Sequence, residues 1–195
     1  MFVRELVRAG LWPLSGRDIL EVGCGSGYWL RQFAQWGASP ERMTGIELLP
    51  HRAAEARQRC ASGTTILEGD AARDRLPAAS FDIVFQSTVL TSILERESRD
   101  ALARQMRRLV RPGGAIVSYD FRYDNPRNPD VARLTVEDLR TLFPGAAMRV
   151  RSLTLAPFVA RRIAPVSWLA CHLLDAVPLF HTHVLAIIRS CPAAQ

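Results

Sequence analysis

The sequence has 195 residues, which is one domain by length and enough to bury a core of its own. Hydrophobic residues make up 48% of it and charged residues 23%, which is ordinary for a folded globular protein and argues against extended disorder. All 25 basic residues are arginine, so lysine is excluded as a catalytic base. The net charge of +6 would favour an anionic partner, although arginines scattered over a solvated surface explain it more simply.

The expected compartment is reducing and cytoplasmic, because the four cysteines form no Cys-x-x-Cys pair and no disulfide framework. Residues 1–10 carry charges and no apolar core run, which is not typical of a signal peptide. No apolar run reaches the roughly 18 residues of a membrane-spanning helix, so no transmembrane segment is predicted. We expect residues 1–195 to form a single domain that begins with a short helix in the segment 1–16.

The strongest local pattern is an apolar strand over 18–22 that breaks into glycines at three alternating positions, Gly23, Gly25 and Gly27, before a helix over 28–36. Glycine has no Cβ, so it adopts positive φ readily and lets a ligand approach the backbone closely. The first amides of the following helix remain available to that ligand. The pattern therefore predicts a nucleotide-like ligand on a Rossmann-type turn.

Two further strands bring acids to the same edge of the predicted sheet. A strand over 42–47 ends on Glu47, at the spacing that a βαβ unit requires, and a carboxylate there can accept both hydroxyls of a ribose. The next strand, over 64–68, is followed by the tripeptide Gly69-Asp70-Ala71. The residues alone leave two interpretations of Asp70 open: its carboxylate contacts a nucleobase, or it is the N-cap of a helix.

The second half of the chain continues the alternation of strands and helices. A strand over 80–86 ends on Gln86, whose position at a carboxyl end faces the ligand crevice and makes it a candidate to contact a ligand. Thr135 is a candidate N-cap, with acids in the first turn after it. The remaining elements predicted along the chain are helices over 51–60, 97–110 and 134–143 and strands over 115–121, 148–155 and 183–189.

The glycine motif reads Glu21-x-Gly23-x-Gly25-x-Gly27, whereas a dinucleotide fingerprint reads Gly-x-Gly-x-x-Gly. An acid directly before the glycines would repel a pyrophosphate and suits a cationic ligand such as a sulfonium. The motif closely resembles motif I of the class I S-adenosylmethionine-dependent methyltransferases. Residues 109–114 resemble the helix-to-strand corner of the same family, so matched segments follow one another in order from 18 to 121.

The resemblance implies an α/β fold, a Rossmann-like three-layer αβα sandwich with a seven-stranded, mostly parallel sheet. The last strand is antiparallel and lies between strands five and six. The resemblance also implies S-adenosyl-L-methionine as cofactor and S-adenosyl-L-homocysteine as product. Glu47 matches the ribose-binding acid, Leu48 packs on the adenine face, and Asp70 accepts from the exocyclic amine. The residues expected to bind the cofactor are Glu21, Gly23, Cys24, Gly25, Gly27, Glu47, Leu48, Asp70, Ala71 and Gln86.

The implied topology places the acceptor site, because an antiparallel last strand starts where the fifth strand ends. This brings His181 and His183 towards Asp120. Either histidine, paired with that aspartate, is the predicted general base, since a pKa near 6.5 suits removal of a hydroxyl proton. The residues expected to line the acceptor pocket, where the arginines would hold a phosphate or carboxylate, are Tyr119, Arg122, Asn125, Arg127 and Asn128.

The segment 157–180 joins the last two strands on the ligand side of the sheet and is strongly apolar. Core packing is the simplest interpretation of this flap. A sharper interpretation is a lid or interfacial helix for a lipid-linked substrate, in which Arg161 and Arg162 aid a weak contact with a membrane surface.

The predicted function is in-line SN2 methyl transfer to a small-molecule or glycan acceptor, with a hydroxyl favoured. No nucleic-acid partner is predicted, because the segment after strand four lacks the Pro-Pro motif typical of methyltransferases that act on exocyclic amines. The alternative is a catalytically weak cofactor-binding or interaction subunit that needs a biosynthetic partner. No metal is predicted, because no zinc signature fits the spacing of Cys171, His172, His181, His183 and Cys191.

Overall fold

The computed structural model describes residues 1–124, 126 and 128–189. The strands within these residues are β1 (Ile19–Val22), β2 (Met43–Glu47), β3 (Thr65–Glu68), β4 (Phe81–Ser87), β5 (Val110–Phe121), β6 (Ala147–Leu155) and β7 (His181–Arg189). The helices are α1 (Phe2–Arg8), α2 (Tyr28–Gln35), α3 (Pro50–Arg59), α4 (Val89–Ser92), α5 (Arg96–Leu109), α6 (Val136–Leu142), α7 (Pro157–Ile163) and α8 (Trp168–Asp175).

The seven strands form one sheet in the order β3-β2-β1-β4-β5-β7-β6. Strands β1 to β5 pair in parallel, whereas β7 runs antiparallel to both β5 and β6. The strand order reverses between β1 and β4, and the crevice at such a switch point is where doubly wound sheets bind ligands. This topology confirms the predicted sheet, including the position of its antiparallel last strand.

Successive side chains along the central strands face two separate apolar cores. Phe85 and Val117 contribute to the core that the sheet shares with α1, α2 and α3. Val84 and Ile116 contribute to the core shared with α4, α5 and α6. All four residues of β1 are buried, which is typical of a central parallel strand covered on both faces. The sandwich therefore has the three αβα layers expected.

Several elements begin at residues other than those that the sequence periodicity predicts, because contacts with distant segments set their boundaries. Strand β7 begins at His181, two residues earlier than predicted, since this residue pairs with Leu155 of β6. The short helix α4 is absent from the sequence prediction and begins after Thr88, which has a φ of 59°. Helix α6 begins as expected, where the Thr135 hydroxyl accepts the Asp138 amide at 3.1 Å in a capping box.

The flap 157–180 folds as α7, α8 and a 3-10 turn (Pro178–Phe180), and both helices contact β6. Core packing accounts for Cys171, which is buried. It does not account for Trp168, Leu169 and Leu173 of the same helix, whose side chains are exposed. The simplest sequence interpretation of the flap was therefore incomplete, because helical periodicity here turns a second apolar face to solvent.

Candidate cofactor and acceptor site

The three glycines between β1 and α2 all have positive φ, at 65°, 54° and 76° for Gly23, Gly25 and Gly27. A Cβ on Gly23 would lie 2.5 Å from Cγ2 of Val89, and one on Gly27 would lie 2.4 Å from Sγ of Cys60. A Cβ on Gly25 would meet no atom within 4 Å. The outer two glycines thus allow close packing, whereas the middle one leaves the backbone open to the crevice.

The buried carboxyl group of Glu21 lies beneath this turn rather than on its surface. Its Oε2 accepts the amide of Leu30, in the first turn of α2, at 3.1 Å. Burial raises the pKa of Glu21 well above its usual range, and the nearby carboxylate of Glu47 raises it further. The acid that the motif places on β1 therefore fixes the start of α2 and holds the turn from within.

The carboxylate of Glu47 connects the end of β2 to the glycine turn. Its Oε2 accepts the amide of Gly25 at 2.8 Å, and its Oε1 accepts the amide of Leu49 at 3.0 Å. Backbone amides orient both carboxylate oxygens, which lie at the carboxyl edge of the sheet. An acceptor-only group held at this edge is suited to vicinal hydroxyls.

A cavity of about 340 Å³ opens between the glycine turn and α5, and its wall includes Ile46 and Leu48, the residues on either side of Glu47. Leu48, Asp70 and Ala71 line it together with Gly23 and Val89. Asp70 accepts the amide of Ala72 at 2.9 Å, and the residues after it form a turn instead of a helix. Its sequence interpretation as a helix N-cap is therefore wrong, and its carboxylate stays at the cavity wall.

The backbone amide of Cys24 donates to the Ile46 carbonyl at 3.0 Å, and its thiol donates to the Gly25 carbonyl at 3.9 Å. The thiol is buried against Gly45, where a Cβ would lie 2.7 Å from the sulfur. Burial raises the pKa of the thiol to about 12, so it stays protonated.

Gln86 and Asp120 form a buried network on the α4–α6 side of the sheet. Oε1 of Gln86 accepts the amide of Val89 at 2.9 Å, and its Nε2 donates to the carboxylate of Asp120 and, at 2.7 Å, to Ser118. The same carboxylate accepts the hydroxyl of Ser118 and the amide of Thr91. Burial raises the pKa of Asp120, whereas the hydrogen bonds from Ser118, Gln86 and Thr91 act in the opposite direction. This network orients α4 and occupies the polar atoms of Gln86.

The predicted pairing of Asp120 with a histidine does not occur, because the two groups lie on opposite faces of the sheet. Asp120 stands opposite Val184 in the β5–β7 ladder, whereas His183 stands opposite Phe121. His183 instead stacks on Tyr119, with ring centroids 4.6 Å apart and planes 4° apart. Side chains alternate between faces along a strand, so neighbours in sequence cannot share one site here.

The two histidines differ in their surroundings. Both ring nitrogens of buried His181 are engaged, at 3.0 Å from the Ser152 hydroxyl and 2.9 Å from the Asp175 carbonyl oxygen. Nδ1 of His183 lies 2.9 Å from Oγ1 of Thr182, and burial lowers its pKa to about 4. His181 therefore fastens α8 to β6, and His183 is the histidine with a ring nitrogen still available to an acceptor.

A second cavity, of about 220 Å³, lies on the Tyr119 side of the sheet. Aromatic rings of Phe2, Trp29 and Tyr119 line it, and Thr154 and Asp175 supply polar groups. Sequence reasoning missed Phe2 and Trp29, because their helical spacing indicates core packing and nothing local shows that α1 and α2 converge on β5.

The other residues expected to line the acceptor pocket lie in different surroundings. Arg122 donates to the carbonyl of Pro178 at 2.8 Å and lies 5.1 Å from the ring of Tyr123, so it contacts the flap. Asn128 accepts the amide of Asp130 at 3.2 Å in a local turn. Asn125 and Arg127 lie outside the described residues.

Two kinds of feature are absent from the described part of the chain. No cluster of three or more His, Cys, Asp or Glu side chains there could hold a metal ion. Among residues 1–124, 126 and 128–189, no helix has the length and apolar composition needed to cross a bilayer.

The doubly wound sheet, the glycine turn and the strand-end acid define the class of Rossmann-like nucleoside-binding domains. The family described as "Methyltransferase domain" matches residues 19–114, about half of the chain. The fold resembles that of an S-adenosylmethionine-dependent methyltransferase from Mesorhizobium loti, with a TM-score of 0.68, 21% identity, and coverage of 95% of this chain and 96% of that one.

Two relatives extend the comparison. Malonyl-(acyl-carrier protein) O-methyltransferase of Serratia marcescens is 37% identical over 102 residues, 52% of this chain and 37% of that protein. Nocamycin O-methyltransferase of Saccharothrix syringae is 34% identical over 108 residues, 53% of this chain and 38% of that protein. This chain thus spans less than two fifths of the length of either relative. On the match of residues 19–114 to the methyltransferase-domain family, this chain belongs to the class I S-adenosylmethionine-dependent methyltransferases.

Proposed function

We propose that the chain catalyses S-adenosyl-L-methionine-dependent methylation of a hydroxyl on a small molecule or glycan. The observation that carries this proposal is the carboxylate of Glu47, which accepts the amide of Gly25 at 2.8 Å and belongs to a residue whose two chain neighbours, Ile46 and Leu48, line an open cavity. That arrangement offers a hydrogen-bond acceptor for ribose hydroxyls near a space for a nucleobase. Two relatives whose names contain O-methyltransferase support oxygen as the acceptor atom.

The site residues fit the cofactor through side chains that would contact it and through a stretch of backbone that it could approach. Glu47 would accept the ribose hydroxyls, Leu48 and Ala71 would contact the adenine faces, and Asp70 would accept from its amine. Gly25 would let the backbone approach the ligand, since no atom lies within 4 Å of where its Cβ would point. The remaining predicted cofactor residues, which shape the turn or orient α4 from within, are Glu21, Gly23, Cys24, Gly27 and Gln86.

When bound, S-adenosyl-L-methionine supplies an electrophilic methyl group together with its leaving group. The protein's own part is to orient the acceptor, exclude water and receive one proton. In this proposal the acceptor lies in the cavity lined by Phe2, Trp29 and Tyr119, and its hydroxyl reaches past Tyr119 to His183, which stacks on that ring and accepts the proton at Nε2. A pKa of about 4 keeps that ring neutral at ordinary pH, and the hydroxyl proton becomes more acidic as its oxygen forms the new bond.

The first experiment is calorimetric titration of the intact chain with S-adenosyl-L-methionine and S-adenosyl-L-homocysteine. Binding of both, with Glu47→Ala weakened, supports the cofactor site. A radiolabelled-methyl assay against matched hydroxyl and amine acceptors then tests the chemistry. Transfer only to amines would contradict the O-methylation proposal. Tight cofactor binding without any transfer would favour the alternative, a catalytically weak subunit that needs a partner.

The two histidines provide an internal comparison for the same assay. We expect His183→Gln to lower turnover at least about tenfold while cofactor affinity is retained, because general-base catalysis contributes typically 100-fold or more. His181→Gln should lower stability instead, because it removes the contacts between α8 and β6. Turnover unchanged in His183→Gln would place the base elsewhere or show that none is needed.

A further inference from the structure

The flap carries an exposed apolar surface, here called the flap surface. Each of its five members is between 64% and 86% exposed, and the list is Val166, Trp168, Leu169, Leu173 and Leu179. Exposed single apolar residues are normal, but five within a stretch of 14 residues, including a tryptophan, form a patch that calls for a partner.

The helix that carries most of this surface is firmly placed. On its inner side Cys171 is buried, and the carbonyl of Asp175 lies 2.9 Å from Nε2 of His181. The hydroxyl of Ser167 caps its start by accepting the amide of Ala170 at 3.2 Å. Because α8 is already anchored through this inner side, the outward direction of Trp168 is a property of the fold.

The charge around the flap surface is positive. Arg161 and Arg162 are exposed in the last turn of α7, and α7 packs against α8. No carboxylate among the described residues lies within ion-pair distance of either arginine. Asp175 is the only acid in 157–180, and its carboxylate lies 3.7 Å from His181. The outer face therefore combines apolar side chains with uncompensated positive charge.

We propose that the flap surface docks on an anionic lipid surface, with Trp168, Leu169 and Leu173 entering the headgroup region and Arg161 and Arg162 contacting lipid phosphates. A short helix with Trp and Leu outward and arginines beside it has the composition of an interfacial element, and attraction to anionic lipids adds to the buried apolar area. Docking in this orientation turns the flap side of the acceptor cavity, where Asp175 lies, towards the membrane. This inference goes beyond the proposed function and does not depend on it.

The test is flotation of the full chain with vesicles of phosphatidylcholine alone and of phosphatidylcholine with phosphatidylglycerol. We expect binding to the anionic vesicles that weakens as salt is raised. Arg161→Gln with Arg162→Gln should reduce binding about 30-fold, from the usual contribution of a basic residue near an anionic surface. Leu169→Ser with Leu173→Ser should reduce it about tenfold or more.

The matched control is Arg52→Gln with Arg59→Gln, which removes the same charge from exposed positions of α3, a helix that packs near the opposite edge of the sheet. We expect this variant to bind anionic vesicles within about threefold of the wild type, because these positions lie far from the flap. Equal binding to both vesicle types, or an equal loss in this control, would overturn the proposal. The proposal would also be overturned if the chain did not bind vesicles but self-associated, and Leu169→Ser with Leu173→Ser made it monomeric. A second copy of the chain would then be the partner that covers the flap surface. Circular dichroism melts verify folding of each variant, and S-adenosyl-L-homocysteine titration of the same samples reports the cofactor site separately.

Discussion

Glu47 and Gly25 meet through a single hydrogen bond of 2.8 Å, from the glycine amide to the carboxylate. This bond joins the acid that ends β2 to the middle of the turn that ends β1, although 22 residues separate the two positions. The ladder between β1 and β2, in which Glu21 stands opposite Gly45, brings the two ends side by side. The proposed ribose site is therefore a product of adjacent parallel strands.

We predict that Glu47→Ala weakens binding of S-adenosyl-L-homocysteine roughly 100-fold, because hydrogen bonds to a charged acceptor contribute about 1.5–3 kcal/mol each. The measurement is calorimetric titration at fixed pH and salt. Glu137→Ala, at an exposed position on α6, is the matched control and should bind as the wild type does. Unchanged affinity in Glu47→Ala would remove the ribose assignment.

Replacing Gly27 by alanine should destabilise the fold by roughly 3 kcal/mol, since its φ of 76° disfavours a side chain and the new Cβ would lie 2.4 Å from Sγ of Cys60. Adding Cys60→Ala should recover about 1 kcal/mol or more of that loss. Gly10→Ala isolates the backbone effect, because its φ is 68° and no atom lies within 4 Å, so about 1 kcal/mol is expected. Urea denaturation of these variants gives the free energies of unfolding. A loss at Gly27 no greater than that at Gly10 would contradict the packing explanation.

The depressed pKa of His183 predicts a pH dependence of stability. The unfolded-state pKa is near 6.5 and the folded-state pKa is about 4, so the unfolded chain binds the extra proton between these values. Stability from this group is present above pH 6.5 and is lost as pH falls towards 4. Relative to His183→Gln, the wild type should lose roughly 1–3 kcal/mol between pH 7 and pH 4 in urea denaturation.

His51→Gln, at an exposed position on α3, serves as the control for that titration and should follow the wild type. A wild type that runs parallel to His183→Gln over this range would show that the imidazole titrates in the folded state as it does in the unfolded chain. The difference between variants is used because Glu21 and Asp120 have raised pKa values and act on stability in the opposite sense.

Asp120→Asn should lower the free energy of unfolding by about 1–3 kcal/mol, because one of the buried donors from Gln86, Ser118 or Thr91 loses its acceptor. Asp130→Asn, at an exposed position, should change it by less than about 0.5 kcal/mol. Chemical denaturation measures both. Full stability in Asp120→Asn together with a loss of turnover would mean that the aspartate acts on the substrate after all.

The order of elements, the glycine turn and the acid at the end of β2 could be predicted from sequence, because each depends on local periodicity or on spacing along the chain. The antiparallel last strand followed from the family resemblance, and the ladder between β5 and β7 confirms it. Local patterns also gave the Thr135 cap, since its partner Asp138 is only three residues away.

Only the tertiary structure separated the candidates that sequence had grouped together. His181 and His183 have the same side-chain chemistry, but two elements hold the first by both ring nitrogens while the second stacks on Tyr119. Asp120 lies between Tyr119 and Phe121 in sequence yet faces the opposite core, where Gln86 binds it. Glycine motifs depend on backbone geometry over a few residues, whereas the role of a polar side chain depends on which face of the sheet it occupies and on what distant elements bring to it.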